Sequence, residues 1–293
     1  MDGPLISEVG DHIIRGLPLI GVTVVVLIAA RGLLLTTGLR VGDDLLKQEN
    51  PAAGVVVAAY LLAAAIALTG THFGGGQQET LSAMARIFIE GVAAIILLRL
   101  SIWVNDHFIL YRFCTMKEIR DDRNLGAAFC VAGSCLACGL ILNGALIGFS
   151  QNLAFGLRDI AIYWLLGQAT LVLGALAYQR TTRYDVHQLI EYDDNIAVGI
   201  TFGALLISLG LIVRAALIGA GLDSLNEELP RTLLLALLGT LGVLTVHAVT
   251  TLLITTKVNF EDEVEMHGNV AFSIVTASVN VAIAMLLASF LQR

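Results

Sequence analysis

The chain has 293 residues, of which 57% are hydrophobic and only 14% charged, and its mean hydropathy is +0.82. Soluble domains carry about 45–50% apolar and about 25% charged residues, so this balance excludes an ordinary water-soluble fold. The net charge of −7 comes without any basic stripe, which excludes nucleic acid as a partner and leaves the lipid bilayer as the one the composition demands.

At the N-terminus, Asp2, Glu8 and Asp11 stand where a cleaved leader would carry basic residues, so the first apolar run is expected to be retained. Eight runs follow, each close to the roughly 20 residues an α-helix needs to cross a bilayer. They are predicted at residues 17–37, 52–71, 83–104, 125–149, 160–177, 196–217, 232–253 and 270–291. The expected fold is all-α and polytopic, with about eight transmembrane helices. The four prolines, Pro4, Pro18, Pro51 and Pro230, fall outside these runs or in their first turn, where a missing N–H is harmless.

Lysine and arginine set the orientation, because cytoplasmic loops retain positive charge. The connections after odd-numbered spans hold Arg40 and Lys47, then Arg112, Lys117, Arg120 and Arg123, then Arg180 and Arg183, then Lys257. The opposite side has Arg15, Arg158, Arg231 and Arg293, with Arg86 and Arg214 near the boundary. Both termini are therefore expected on the periplasmic side of a bacterial inner membrane.

An internal repeat organises the whole chain. Each even span opens on an asparagine followed by small residues: Asn50-Pro-Ala-Ala-Gly54, Asn124-Leu-Gly-Ala-Ala128, Asn195-Ile-Ala-Val-Gly199 and Asn269-Val-Ala-Phe-Ser273. The asparagines are 74, 71 and 74 residues apart. Small residues recur eight positions on (Ala58, Ala132, Gly203, Ala277) and fifteen positions on (Ala65, Gly139, Gly210, Ala284). At about 100° per residue, offsets of four, eight and fifteen share one side of a helix. Four parallel two-helix units result, paired into two four-helix halves at 12–150 and 156–293. The stripes fit a packing seam between helices, or else the lining of a shared central path.

The asparagines follow acids: Glu49, then Asp121 and Asp122, then Asp193 and Asp194, then Glu261, Asp262, Glu263 and Glu265. Asparagine caps a helix start, and carboxylates complement its positive end. The competing reading is a ring of oxygen atoms at a cytoplasmic mouth, suited to a hard cation. Inside the spans, Glu90, Arg99, Gln168 and His247 are the polar groups to examine first, with Arg31, Asn143 and Asn280 beside them. Arg86, one turn before Glu90, is the expected ion-pair partner.

Cys135-Leu-Ala-Cys138 lies mid-span without a second pair, so its cysteines, like Cys130, are expected to pack rather than to bind metal or cycle redox. Cys114 lies just before the same span. His187 and Glu191 after Asp185 are too few for a metal site. No nucleotide-binding, hydrolase or dinucleotide motif occurs, so no catalytic residue, metal or cofactor is expected.

The segments Glu49-Asn50-Pro51-Ala52-Ala53-Gly54, Tyr60-Leu61-Leu62, Gly167-Gln168, Tyr184-Asp185 and Asp194-Asn195-Ile196-Ala197-Val198-Gly199 resemble the bacterial inner-membrane family of unknown function typified by YjfL. The resemblance covers nearly the whole chain and is weakest in the fourth unit, where Gly268 replaces the acid before Asn269. It implies a four-helix segment present twice. The similarity of genomic setting to envelope-stress proteins related to phage-shock protein A further implies a cytoplasmic envelope-stress partner. Two functions follow as expectations: a passive or gated path for a small ion or solute, narrowly first, and a non-transporting scaffold in membrane maintenance. A homo-oligomer is compatible with either.

Overall fold

The computed structural model describes residues 3–72, 80–147, 152–218, 225–254 and 262–291. Lys257, Glu261 and Arg293, together with Phe149 at the expected end of the fourth span, lie outside them. Among the described residues there is no strand, and eight helices are long and apolar enough to span a membrane. The chain is a multi-pass α-helical membrane protein.

In chain order the helices are α1 (Gly3–Leu34), α2 (Pro51–Thr71), α3 (Thr80–Val104), the short α4 (Thr115–Arg120), α5 (Leu125–Ile147), α6 (Leu153–Thr181), the short α7 (Val186–Glu191), α8 (Ile196–Leu217), α9 (Leu225–Ile254) and α10 (Val270–Leu291). Three helices, α1, α6 and α9, begin well before their apolar runs. The side chain of Asn152 caps α6 by accepting from Phe155 N at 3.0 Å, and the first turns carry the adjacent pair Arg158–Asp159. Helix α1 starts at Gly3, which puts Pro18 inside the helix rather than in its first turn; Pro230 is likewise inside α9. These positions differ from the expectation because polar residues ahead of each apolar run continue the helix.

The spanning helices form two rows. Helices α2, α5, α8 and α10, the ones that open on asparagine, pack against one another in chain order and make the most extensive contacts in the molecule. Helices α1, α3, α6 and α9 form the companion row: α3 packs on α2 and α5, α6 on α5 and α8, and α9 on α8 and α10. Each two-helix unit thus adds one helix to each row.

Glycine and alanine set the spacing of the asparagine row. A Cβ on Gly139 would lie 2.7 Å from the Cα of Ala63, and one on Gly210 would lie 2.6 Å from the Cα of Ala137. A Cβ on Gly199 would stand 2.3 Å from the carbonyl oxygen of Gly126. Dispersion across such backbone contacts holds helices together in lipid, where the hydrophobic effect does not discriminate a helix from an acyl chain.

The stripe at offsets four, eight and fifteen is buried against the preceding helix of the row: Ala128, Ala132 and Gly139 on α5; Gly199, Gly203 and Gly210 on α8; Ser273, Ala277 and Ala284 on α10. A second small-residue face, at offsets two, six, nine, thirteen and twenty, lies on the opposite side and meets the following helix. On α5 it comprises Gly126, Cys130, Gly133, Ala137 and Gly144, all buried.

Candidate functional site

At one end of the bundle the chain reverses four times through the same device. A short helical segment, at Val41–Lys47, Thr115–Arg120, Val186–Glu191 or Asp262–Met266, runs into one residue of left-handed backbone, then the asparagine, then the spanning helix. The left-handed residues are Glu49, Arg123, Asp194 and Gly268, with φ between 48° and 57°. Each asparagine N–H donates back to the carbonyl six residues earlier: Asp44, Glu118, Leu189 and Glu263. The glycine before Asn269 is therefore the least strained version of a shared conformation rather than a lost acid.

Each asparagine Oδ1 accepts from the backbone N–H three residues on, at Ala53, Ala127, Val198 and Phe272, over 2.8–3.1 Å. These are four N-caps. Their amides do something the sequence did not disclose. Asn50 Nδ2 donates to the carbonyls of Ile119 and Arg120, Asn124 Nδ2 to Ile190, and Asn195 Nδ2 to Val264 and Glu265. Each amide thereby fastens its own unit to the short segment of the next. Asn269, in the last unit, turns to its own Glu263 at 2.7 Å.

Apart from Glu263, the acids next to the asparagines keep their side chains outside this machinery. Glu49, Asp122 and Asp194 are exposed, whereas Asn50, Asn124 and Asn195 are buried; Asp122 pairs with Lys117 at 3.6 Å. With every asparagine oxygen engaged in a cap, the four do not present a ring of free oxygens to a cation. Charged contacts tie the connections together instead: Arg120 Nε lies 3.6 Å from the buried Asp44, and Arg112 forms an ion pair with Asp185.

Asp185 also caps α7, accepting from His187 N and Gln188 N at 3.0 and 3.2 Å. Partial burial pushes the Asp185 carboxyl up, but the Gln188 N–H and the Arg112 guanidinium outweigh it and hold the pKa below the ordinary range. Burial of Glu118 pushes its carboxyl up, against the amide of Asn124. His187 sits below the usual imidazole range because it is buried and faces Arg112; its Nε2 lies 3.1 Å from the carbonyl of Ile109. Two shallow surface depressions open at this end, one lined by Arg112, Asp185, His187, Gln188, Glu191 and Tyr192, the other by residues including Thr37, Lys117 and Arg120.

The family model described as Domain of Unknown Function (DUF350) matches residues 9–146 and again residues 152–291. The chain belongs to the DUF350 family. It carries the domain twice in tandem, and each copy holds two of the four asparagine units. No curated protein and no solved structure matches the chain.

The two DUF350 copies share the asparagine end but not the polar groups within the bilayer. Glu90 is 3% exposed and accepts from Arg86 Nε at 2.8 Å. Arg99 Nε donates to Thr36 Oγ1 at 2.8 Å, tying α3 to the end of α1. Gln168 Nε2 reaches Ser101 Oγ at 3.2 Å and Cys138 Sγ at 3.1 Å, and Trp164 Nε1 donates to the same serine at 2.9 Å. His247 Nδ1 is 3.0 Å from Asn280 Nδ2. Corresponding positions of the copies differ by 145 residues, the separation of Asn50 from Asn195, and there Glu90, Arg99, Gln168 and His247 face Leu235, Leu244, Thr23 and Ile102. The four are not brought together: Glu90 is paired within α3, Arg99 ties α3 to the end of α1, Gln168 of α6 reaches both α3 and α5, and His247 of α9 meets α10.

Two further groups were not assembled from the sequence, although Asn143 was among the polar residues it singled out. Asn143 Nδ2 donates to Ile66 O and Thr69 Oγ1 at 2.9 Å, while its Oδ1 accepts from Arg214 Nε at 2.6 Å. Thr69, Asn143 and Arg214 occupy offset nineteen in successive units, so counting on from each asparagine would have found this ladder. On α6 and α9, buried oxygens of Asp159, Tyr163, Glu228 and Thr232 make no close hydrogen bond among the described residues, although Glu228 Oε2 lies 3.7 Å from Arg231 Nη1. Their i, i+4 spacing on two helices was legible, but not which helices pack.

Proposed function

We propose that this protein is a non-transporting membrane scaffold whose rows of helices occupy the bilayer and whose asparagine end docks a partner. The observation that carries this reading is the dry seam of the asparagine row. Its small-residue stripes pack tightly between α2 and α5 and between α5 and α8, and at Gly139, Gly199, Gly203 and Gly210 the backbones stand too close to admit even the methyl of an alanine. A solute path along those stripes would need wet, separated faces. The intramembrane polar groups Glu90, Arg99, Gln168 and His247 are engaged with neighbouring side chains, which supports a joining role for them over a relay.

The docking face is the end bearing the four charged connections. The concentration of lysine and arginine there supports a cytoplasmic placement in the inner membrane, with the termini opposite. The partner suggested by the resemblance to the YjfL-typified family is a soluble envelope-stress protein. Its contacts are the basic residues Arg112, Lys117, Arg120, Arg123, Arg180 and Arg183, with Asp185 among them.

Reconstitution into liposomes tests the first half of the proposal: K⁺, H⁺ and Cl⁻ fluxes are expected to equal those of protein-free vesicles, and any protein-dependent flux overturns it. Co-purification from native membranes tests the second half. Replacing Arg120, Arg123, Arg180 and Arg183 together by alanine is expected to release a soluble protein that the parent chain retains. An unchanged set of bound proteins overturns the docking assignment.

A further inference from the structure

The asparagine row uses one joint three times and leaves its two halves open at the ends. On α2, α5 and α8 the face at offsets two, six, nine, thirteen and twenty is buried against the next helix. On α10 the same offsets bring up Ala271, Val275, Ser278, Ala282 and Ser289, all exposed. The complementary face, buried on α5, α8 and α10, is uncovered on α2: Ala58 is exposed, Gly54 and Ala65 are half-buried, and a Cβ on Gly54 would meet only Leu45 Cδ2, at 3.7 Å.

The polar part of the joint is open at the same two ends. Five residues before each asparagine, Ile119, Ile190 and Val264 are fully buried and their carbonyls accept the amide of the preceding unit. The equivalent in the first unit is Leu45, which is half-buried, followed by Leu46, which is 81% exposed. Among the described residues no side-chain amide reaches either carbonyl. At the other end, the half-buried Asn269 reaches no later segment among the described residues and uses its own Glu263.

We propose that the chain assembles head to tail with further copies of itself, the open face of α10 in one copy seating on the open face of α2 in the next. The internal joints fix the register. Gly126 against Gly199 becomes Ala271 against Gly54 of a second copy; Gly133 against Gly203 becomes Ser278 against Ala58; Ala137 against Gly210 becomes Ala282 against Ala65. Asn269 then exchanges Glu263 for the carbonyls of Leu45 and Leu46. The contact is heterologous, so it closes into a ring or extends as a filament within the membrane plane. The faces are small and close-fitting rather than bulky, which matches a helix neighbour better than lipid tails.

Cysteine cross-linking of the full chain in native membranes tests this, with Cys114→Ser removing the exposed native thiol. A chain carrying both Ala65→Cys and Ala282→Cys is expected to give a ladder of covalent multimers on oxidation. Two differently tagged chains carrying one substitution each should give a mixed dimer, and either single variant alone should stay monomeric. Absence of the mixed dimer, or self-cross-linking of a single variant, overturns the proposal. Particle mass in lipid nanodiscs is an independent readout: the parent chain is expected as two or more copies and Ala282→Trp, on an exposed face, as a folded monomer. A monomeric parent chain overturns it equally.

Discussion

Gly133 of α5 and Gly203 of α8 stand backbone to backbone: a Cβ added to Gly133 would lie 2.4 Å from the Cα of Gly203. Neither helix can yield without disturbing its other neighbour in the row. Gly203→Val is expected to destabilise the protein by about 1–3 kcal/mol through overpacking. Gly54→Ala, at an open position of the same stripe, should change the stability of the single chain little. Thermal unfolding in detergent measures both, and equal effects would contradict the seam.

The four asparagines are alike in sequence but unequal in what they hold. Asn124→Ala removes a cap, about 1 kcal/mol, and also strands the buried Ile190 carbonyl, worth about 1–3 kcal/mol more. Asn269→Ala loses the cap and only a bond to its own unit's Glu263. Chemical denaturation should rank Asn124→Ala well below Asn269→Ala, and the reverse order would argue against the inter-unit bonds.

Left-handed backbone before each asparagine gives a substitution with the opposite sign. Arg123 has φ 57° and is exposed, so Arg123→Gly is expected to stabilise by about 0.5–1 kcal/mol. Gly268→Ala, at φ 55°, should destabilise by a similar amount. A melting temperature that falls for both would show that the Arg123 side chain matters more than its backbone.

Arg86 and Glu90 form a buried pair one helical turn apart on α3. Glu90→Ala leaves a buried guanidinium without its carboxylate and is expected to destabilise by about 3–5 kcal/mol. The double variant Arg86→Leu, Glu90→Leu should recover most of that loss if the pair is structural. A folded single variant with unchanged stability would point to a different use for Glu90.

His187 makes stability depend on pH. Burial and then Arg112 hold its pKa below the ordinary 6.5, against the Ile109 carbonyl and Asp185. Below 6.5 the unfolded chain therefore binds a proton that the folded chain resists, so stability falls as pH drops toward the folded pKa; above 6.5 the group contributes nothing. Melting temperatures between about pH 7.5 and about pH 5 should fall less steeply in His187→Gln, which keeps a donor for Ile109. Parallel slopes in the two proteins would remove His187 from the account.

Much of this architecture could be read without coordinates because the repeat is written in residue types that have few alternatives. An asparagine that caps and a glycine that admits a backbone leave marks at fixed offsets, and the eight apolar runs are long enough to count. What stayed hidden depends on partners distant in the chain. The amide of Asn195 gives no local sign that it reaches Val264, 69 residues on. The second small-residue face was overlooked because Cys130, Val56, Thr201 and Val275 vary in size at offset six, although the positions on either side of them are consistently small. Gly268 looked like a departure because side-chain charge, rather than backbone conformation, was taken as the shared property.

The direction of the amide bonds has a consequence for biosynthesis. Asn50 is bound by Ile119, Asn124 by Ile190 and Asn195 by Val264, always toward the C-terminus. A nascent chain therefore inserts each of its first three helix pairs before the backbone carbonyl that its amide binds, which belongs to the next pair, has emerged from the ribosome. Maturation is then a zipper drawn one way, and a chain cut after its first, second or third pair ends on a tooth whose onward catch is missing.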